Sequence, residues 1–453
     1  MTETKTVEIA ELLENQEPTW FAAFIFALCC LVMLADGYDN QAINYAAPAI
    51  IHEWGISTAA MTPVFNISIL GWITGSIAFG MLADRVGRRP ATILAVLVFG
   101  AFTLAIPLAR DLAGLSVLRF CAALGVGGGM PMAIALISDY AKSSRRALFV
   151  TLLFLGYTAG SSGGGLLAAE IVPQFGWRSV FYAGGIAGLV IAAILVAGLP
   201  ESLRYLALWR AGDSRILRYA RKLQPHAGFD GSTFFTSGER LQQGVPMKHL
   251  FAEGRAAMTS FLFLALGFAF MTHFFLSQWL TTLLTPELGF ASAARAQALF
   301  QAGGGFAFVF GYLLDKKGVP VTALAMILAA IPVAAIGIAT ASGPAITMVF
   351  TLAAGVLVLG GDVAISALPT MLYPTYMRST ATGATFGVAR VGAVLGPMIA
   401  GLLIAIATPL GTIFLLGALP VLASGAACFL LDRSITPENA REMTSRPAVA
   451  RER

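Results

Sequence analysis

Gly80-Met81-Leu82-Ala83-Asp84-Arg85-Val86-Gly87-Arg88-Arg89 follows one long apolar segment, and Gly311-Tyr312-Leu313-Leu314-Asp315-Lys316-Lys317-Gly318 follows another in the second half of the chain. Both carry the frame Gly-x-Leu-x-Asp-x-x-Gly. A repeat of this kind argues for two duplicated halves related in parallel. A weaker echo joins Asp139-Tyr140 with Arg145-Arg146 to Tyr373-Pro374 with Arg378.

Outward from these motifs the chain is mostly apolar. Of its 453 residues, 57% are hydrophobic and 12% charged, where a soluble domain carries about 25% charged residues. Stretches of about 20 apolar residues, enough to cross a hydrocarbon core, recur twelve times: 21–50, 61–83, 91–110, 112–138, 146–171, 178–199, 259–285, 293–315, 319–340, 344–372, 378–406 and 409–431. The chain is therefore an all-α membrane protein of twelve transmembrane helices in two six-helix bundles. Its expected parts are an N-terminal tail (1–20), a first bundle (21–199), a central loop (200–258), a second bundle (259–431) and a C-terminal tail (432–453). The loop is expected to begin with an amphipathic helix over about 201–223, basic face on lipid headgroups, followed by a linker. Cys29, Cys30, Cys121 and Cys428 all fall within spans and read as small buried hydrophobes. Five glutamates and one lysine among the first twenty residues are unlike a cleaved signal.

With both termini assigned to the cytoplasm, the tails and the turns on that side collect 24 of the 29 Lys and Arg residues. That asymmetry sets the orientation. It makes the pI near 9.1 a topology signal, with no nucleic acid implied.

The first span is interrupted by Asp36-Gly37-Tyr38-Asp39-Asn40 and Asn44. A charge at the bilayer centre costs about 2.5–3.5 kcal/mol on permissive scales, so these residues are expected to face a wet, protein-lined site. Asp36 and Asp39 share one helix face, continued by Asn40 and Asn44. Two close carboxylates in a low dielectric do not both ionise cheaply; one is expected to hold a proton, and the sequence leaves open which. Arg119 and Arg390 are intramembrane arginines, which find anions: either a substrate carboxylate or one of Asp36, Asp39 and Asp362. The seventh span offers His273, Ser277, Gln278, Trp279 and Thr281, and the tenth Asp362, Ser366 and Thr370. Trp279 either stacks on an aromatic ligand or lies in an interfacial belt. His273 either relays protons or closes a helix-to-helix hydrogen bond. Asp362 is a second protonation site or a partner for Arg390. In the Gly80–Arg89 motif, Asp84 is expected to cap the next helix and pair with a basic residue of the other half. Gly80, Arg85, Gly87, Arg88, Arg89 and Asp315 complete this gate. No metal-ligand spacing, nucleotide loop or nucleophile with its base is present, so no enzyme is expected.

The six-plus-six plan with Gly80-x-Leu82-Ala83-Asp84-Arg85-x-Gly87-Arg88-Arg89 resembles the major facilitator superfamily. Asp36-Gly37-Tyr38-Asp39, Pro200-Glu201-Ser202-Leu203-Arg204-Tyr205-Leu206, Tyr373-Pro374 and Gly387-Val388-Ala389-Arg390-Val391-Gly392 to Pro397 resemble its aromatic acid:proton symporters. The chain departs from that pattern at Met132, where an asparagine is usual, and near Asp362, where a glutamine is. The resemblance implies that spans one, four, seven and ten line the cavity, with Asp36 and Asp39 coupling protons. Arg119, Arg390, Tyr38, Asn40, Asn44, His273, Gln278, Trp279 and Asp362 would contact substrate. The implied function is proton-coupled import of a small, hydroxybenzoate-like aromatic carboxylate by alternating access, with the proton as coupling ion and no other cofactor. A monomer in a cell inner membrane is expected. The rivals are a proton-driven exporter of aromatic compounds or drugs and a non-transporting receptor for an organic acid.

Overall fold

The structure is a computed structural model that describes residues 6–142, 145–210, 212–229, 233–236, 247–252, 254–373 and 377–435. Among these, twelve helices are long and apolar enough to cross a membrane. The N-terminal segment gives strand β1 (Thr6–Glu8) and helix α1 (Ile9–Glu14). Spans one to six are α2 (Trp20–Trp54), α3 (Thr62–Val86), α4 (Arg88–Ala105), α5 (Leu112–Tyr140), α6 (Arg146–Phe175) and α7 (Arg178–Gly198). The connecting region holds α8 (Leu203–Trp209), α9 (Ser214–Leu223) and strand β2 (Phe234–Thr236). Beyond it lie α10 (Ala256–Leu288), α11 (Phe290–Gly303), α12 (Ala307–Lys317), α13 (Pro320–Ala339), α14 (Pro344–Leu372), α15 (Arg378–Ala405) and α16 (Leu410–Ser434). At 1.5 Å per residue the 35 residues of α2 span about 52 Å, so part of it lies beyond the hydrocarbon.

The eighth span, expected as one helix over 293–315, is two, α11 and α12, joined by a 3-10 turn at Gly304–Phe306. Gly303, Gly304 and Gly305 supply the break, since each glycine gives up about 1 kcal/mol of helix propensity relative to alanine.

The described chain forms two compact units: Met1–Ala46, Ile67–Gly164 and Gln174–Leu241, and then Ala47–Asn66, Gly165–Pro173 and Gln242–Arg453. Within the second, Phe65 meets Trp279 edge-on at 5.0 Å and Glu170 accepts a 2.6 Å hydrogen bond from Arg295. These contacts tie the segments 47–66 and 165–173 to the helices that follow the central loop.

The expected single amphipathic helix over 201–223 is instead two, α8 and α9, each with its own cap. The Ser202 hydroxyl accepts from the Tyr205 amide, and Asp213 accepts from the amide and guanidinium of Arg215. The Arg215 hydrogen bonds hold the Asp213 carboxyl below the usual carboxylate range. The tail and the loop are also not independent. β1 pairs in parallel with β2, Thr6 opposite Phe234, and Ile9, Leu12 and Leu13 are buried beside Ile216, Ala220 and Leu223. Gln16 Nε2 donates to the Tyr140 carbonyl at 2.8 Å and Gln224 Nε2 to the Leu12 carbonyl at 2.8 Å. A three-residue strand is too short for its alternation to show in sequence, and its partner lies more than two hundred residues away.

Candidate functional site

The Gly80–Arg89 motif forms one end of a polar network at the tail-bearing end of unit one. Gly87 precedes α4 with φ 107°, a conformation that favours glycine. A Cβ there would lie 2.3 Å from the Glu201 carboxylate. Glu201 Oε1 accepts the amides of Arg88 at 2.9 Å and Arg89 at 3.1 Å, and that of Ser202 at 2.9 Å. Glu201 is thus the cap of α4, placing negative charge at a helix N-terminus. The expectation that Asp84 caps this helix is corrected: Asp84 and the Arg85 side chain are exposed, and the reversal at Gly87 turns the chain before Asp84 can reach the free amides. Arg88 is ion-paired with Asp139 at 2.6 Å, and Asp139 also accepts from the Ser202 hydroxyl at 2.7 Å. Arg89 donates to the carbonyls of Val196 and Leu199, both at 2.7 Å, satisfying the open end of α7. Around Gly80 a Cβ would meet nothing within 4 Å. The Asp315 side chain lies outside the described residues. Sequence reasoning had no signal for Glu201 and Asp139 as partners of the motif beyond their place in the family pattern.

The acidic stretch lies on α2 where α2 crosses α6. A Cβ on Gly37 would lie 2.1 Å from the Tyr157 carbonyl oxygen, and one on Gly160 only 1.9 Å from that of Leu34. The two glycines let the backbones touch and carry the flanking acids into the interior. The acids then part company. Asp39 accepts from the Thr103 hydroxyl and forms an ion pair with Arg119 at 3.4 Å, both side chains at most 2% exposed. Asp36, 1% exposed, has neither oxygen in a hydrogen bond of normal geometry among the described residues; the Met130 backbone approaches it. A Cβ on Gly129 would sit 3.7 Å from its Oδ1, so the wall opposite Asp36 is bare backbone.

The other polar residues of this stretch are committed within unit one. Tyr38 donates to the Val180 carbonyl at 2.8 Å, and Tyr45 to the Ser161 carbonyl at 2.7 Å. Asn40 Nδ2 donates to Tyr157 Oη at 2.8 Å. Asn44 Nδ2 donates to Gln41 Oε1 at 2.7 Å, its own Oδ1 buried without a partner.

In unit two, Asp362 on α14 takes His273 on α10 as its partner, Oδ2 to Nδ1 at 2.7 Å; the expectation left Arg390 open for that role. Arg390 is half-buried on α15. Trp279 is fully buried, donates from Nε1 to the Pro397 carbonyl at 3.0 Å and packs on Phe65. This enclosed setting is neither an interfacial belt nor a face open to a ligand. Gln278 is buried with Oε1 unpartnered among the described residues. Two residues that the sequence reading passed over join this group: Gln297 donates to the Ser277 carbonyl at 3.0 Å and Gln301 to its hydroxyl at 3.1 Å. Their spacing of four within an apolar span was the available signal.

The chain as a whole is similar to known proteins. The chain is 32% identical to a gallate transporter of Pseudomonas putida over 425 residues, 93% of this chain and 94% of that protein. It is 33% identical to a 4-hydroxybenzoate transporter of the same organism, covering 86% of this chain and 88% of that one. Escherichia coli K12 has a 3-(3-hydroxy-phenyl)propionate transporter at 30% identity, with 89% and 92% covered. Among solved structures, a bacterial homologue of the human lysosomal transporter Spinster, inward-facing and occupied, superposes with a TM-score of 0.72 at 17% identity, covering 94% of this chain and 99% of that one. The family model for the Major Facilitator Superfamily matches residues 29–385. With twelve spanning helices, repeated Gly-x-Leu-x-Asp-x-x-Gly turns and this match over most of its length, the chain belongs to the Major Facilitator Superfamily of membrane transporters.

Proposed function

We propose that this chain is a proton-coupled importer of a small aromatic monocarboxylate, with both termini in the cytoplasm and the chain seated in a cell inner membrane. The substrate class rests on its relatives, which transport gallate, 4-hydroxybenzoate and 3-(3-hydroxy-phenyl)propionate. Proton coupling rests on one observation: of two acids three residues apart, Asp39 has Arg119 and Thr103, and Asp36 has no side-chain partner among the described residues. A buried charge without a counter-charge is expensive. Asp39 is therefore the fixed carboxylate, and Asp36 the site that gains and loses the proton.

On this reading Arg119 holds Asp39 charged and in place, leaving the less enclosed Arg390 to receive the substrate carboxylate through its planar fork. Protonation of Asp36 neutralises the buried acid of the first span, and alternating access carries proton and anion together. The test is uptake of labelled benzoate and 4-hydroxybenzoate by oriented vesicles. Accumulation should follow an imposed proton gradient, collapse with a protonophore and disappear in Asp36→Asn. Gradient-driven movement in the opposite direction would make the chain an exporter, and tight binding without flux would make it a receptor.

A further inference from the structure

A further buried acid, Asp362, lies outside the mechanism above. It sits on α14 with Oδ2 2.7 Å from His273 Nδ1, while its Oδ1 is buried with no partner among the described residues. His273 is enclosed by rings: Phe274 stacks on it at 4.9 Å, and Phe270 and Phe300 meet it edge-on at 6.1 and 6.4 Å. The Asp362 side chain is 7% exposed and that of His273 24%. The imidazole is thus the side through which a proton reaches the pair.

The other ionisable residues on the packed elements are few. α15 carries Arg390 within its span and Arg378 at its start, and α11 carries Arg295 near its start. α10 carries Glu287 in its last turn, and α12 ends on Asp315, Lys316 and Lys317. α16 carries Cys428 and, at its end, Asp432 and Arg433; α13 carries none. The basic group within hydrogen-bond distance of Asp362 is the His273 imidazole.

With neutral histidine and ionised aspartate the pair carries one net negative charge, in an aromatic cage that solvates it poorly. One added proton makes the pair neutral, as imidazolium with carboxylate or imidazole with carboxylic acid. The 2.7 Å separation lets that proton lie on either atom. We infer that His273 and Asp362 form a second proton-binding site, so that two protons accompany each monocarboxylate and every cycle moves one net positive charge inward. The proton count of transport rests on the coupled reading above; the site itself does not.

Two measurements separate these. Infrared pH titration of the purified full-length protein in lipid, from about pH 4 to pH 9 to span ordinary carboxylate and imidazole values, needs no substrate. It should show a carboxylic-acid carbonyl band that Asp36→Asn removes and a second titrating band, carboxylic-acid or imidazolium, that Asp362→Asn removes. His273→Gln should shift the midpoint of the second band only. In proteoliposomes with benzoate or 4-hydroxybenzoate as probe, a potential of 100 mV, inside negative, acts on one net charge and should raise accumulation about 50-fold. His273→Gln and Asp362→Asn should lose that response while keeping the response to a pH gradient. Absence of any band that Asp362→Asn removes, or an unchanged potential response in both variants, overturns the second site. Absence from the parent protein of any band that Asp36→Asn removes, with the second band present, overturns the coupling assignment instead.

Discussion

Asp36 and Asp39 differ by three positions and by one partner, and that difference sets opposite outcomes for the same substitution. Two unit charges 3.4 Å apart, the Arg119–Asp39 separation, attract by about 5 kcal/mol at an effective dielectric of about 20. Desolvation offsets much of this, so the pair is not a large net stabiliser. Removing one member nevertheless strands the other, at about 3–5 kcal/mol. Asp39→Asn should therefore destabilise the protein by that amount, and so should Arg119→Leu. The double variant should be no less stable than either single one, so the coupling energy between the sites should be at least about 3–5 kcal/mol. Asp36→Asn replaces an unpartnered acid by a neutral group of the same shape and should change stability by less than about 1 kcal/mol. Denaturant unfolding of the purified protein in detergent, followed by tryptophan fluorescence, measures all four. Additive losses at Asp39 and Arg119, or a loss at Asp36→Asn equal to that at Asp39→Asn, would refute the assignment of fixed charge and proton site.

Two further outcomes follow from the packing. Glu201→Ala should cost about 1–2 kcal/mol by freeing the Arg88 and Arg89 amides, while Glu201→Gln should retain most of the stability; equal losses in unfolding curves would reject the cap. Gly37→Ala should cost about 3 kcal/mol or more, because its Cβ would meet the Tyr157 carbonyl oxygen at 2.1 Å, whereas Gly80→Ala, with open space around it, should leave the same curves within about 0.5 kcal/mol of the parent.

The fold was legible because membrane solvation acts on sequence directly. A spanning segment must satisfy its own backbone in a helix and present apolar side chains to lipid, so length and hydropathy alone reveal twelve of them. The repeated glycine-aspartate turns then betray two related halves. The glycine run in the eighth span was visible too, although its consequence, a break into α11 and α12, was not drawn. The β1–β2 pairing lay beyond the sequence, because its two three-residue strands are more than two hundred residues apart, whereas the split between α8 and α9 has local signals in Gly212 and the Asp213 cap.

The candidate site divides in the same way. That Asp36, Asp39, Arg119, Asp362 and His273 matter is readable from residue type, since an ionisable group within a span is costly and must be kept for a reason. Which acid pairs with which base is not readable. Helical spacing places Asp36 and Asp39 on one face but carries no information about the helix opposite. Only the packing of α5 beside α2, which brings Arg119 to Asp39 and the bare backbone of Gly129 to Asp36, distinguishes two residues that sequence alone treats alike. The same holds for Asp84, whose place in the motif suggested a cap until the fold brought Glu201 to those amides. Sequence determined what this protein must bury; tertiary structure decided which buried charges are answered, because a counter-charge is a matter of a few ångströms and not of position along the chain.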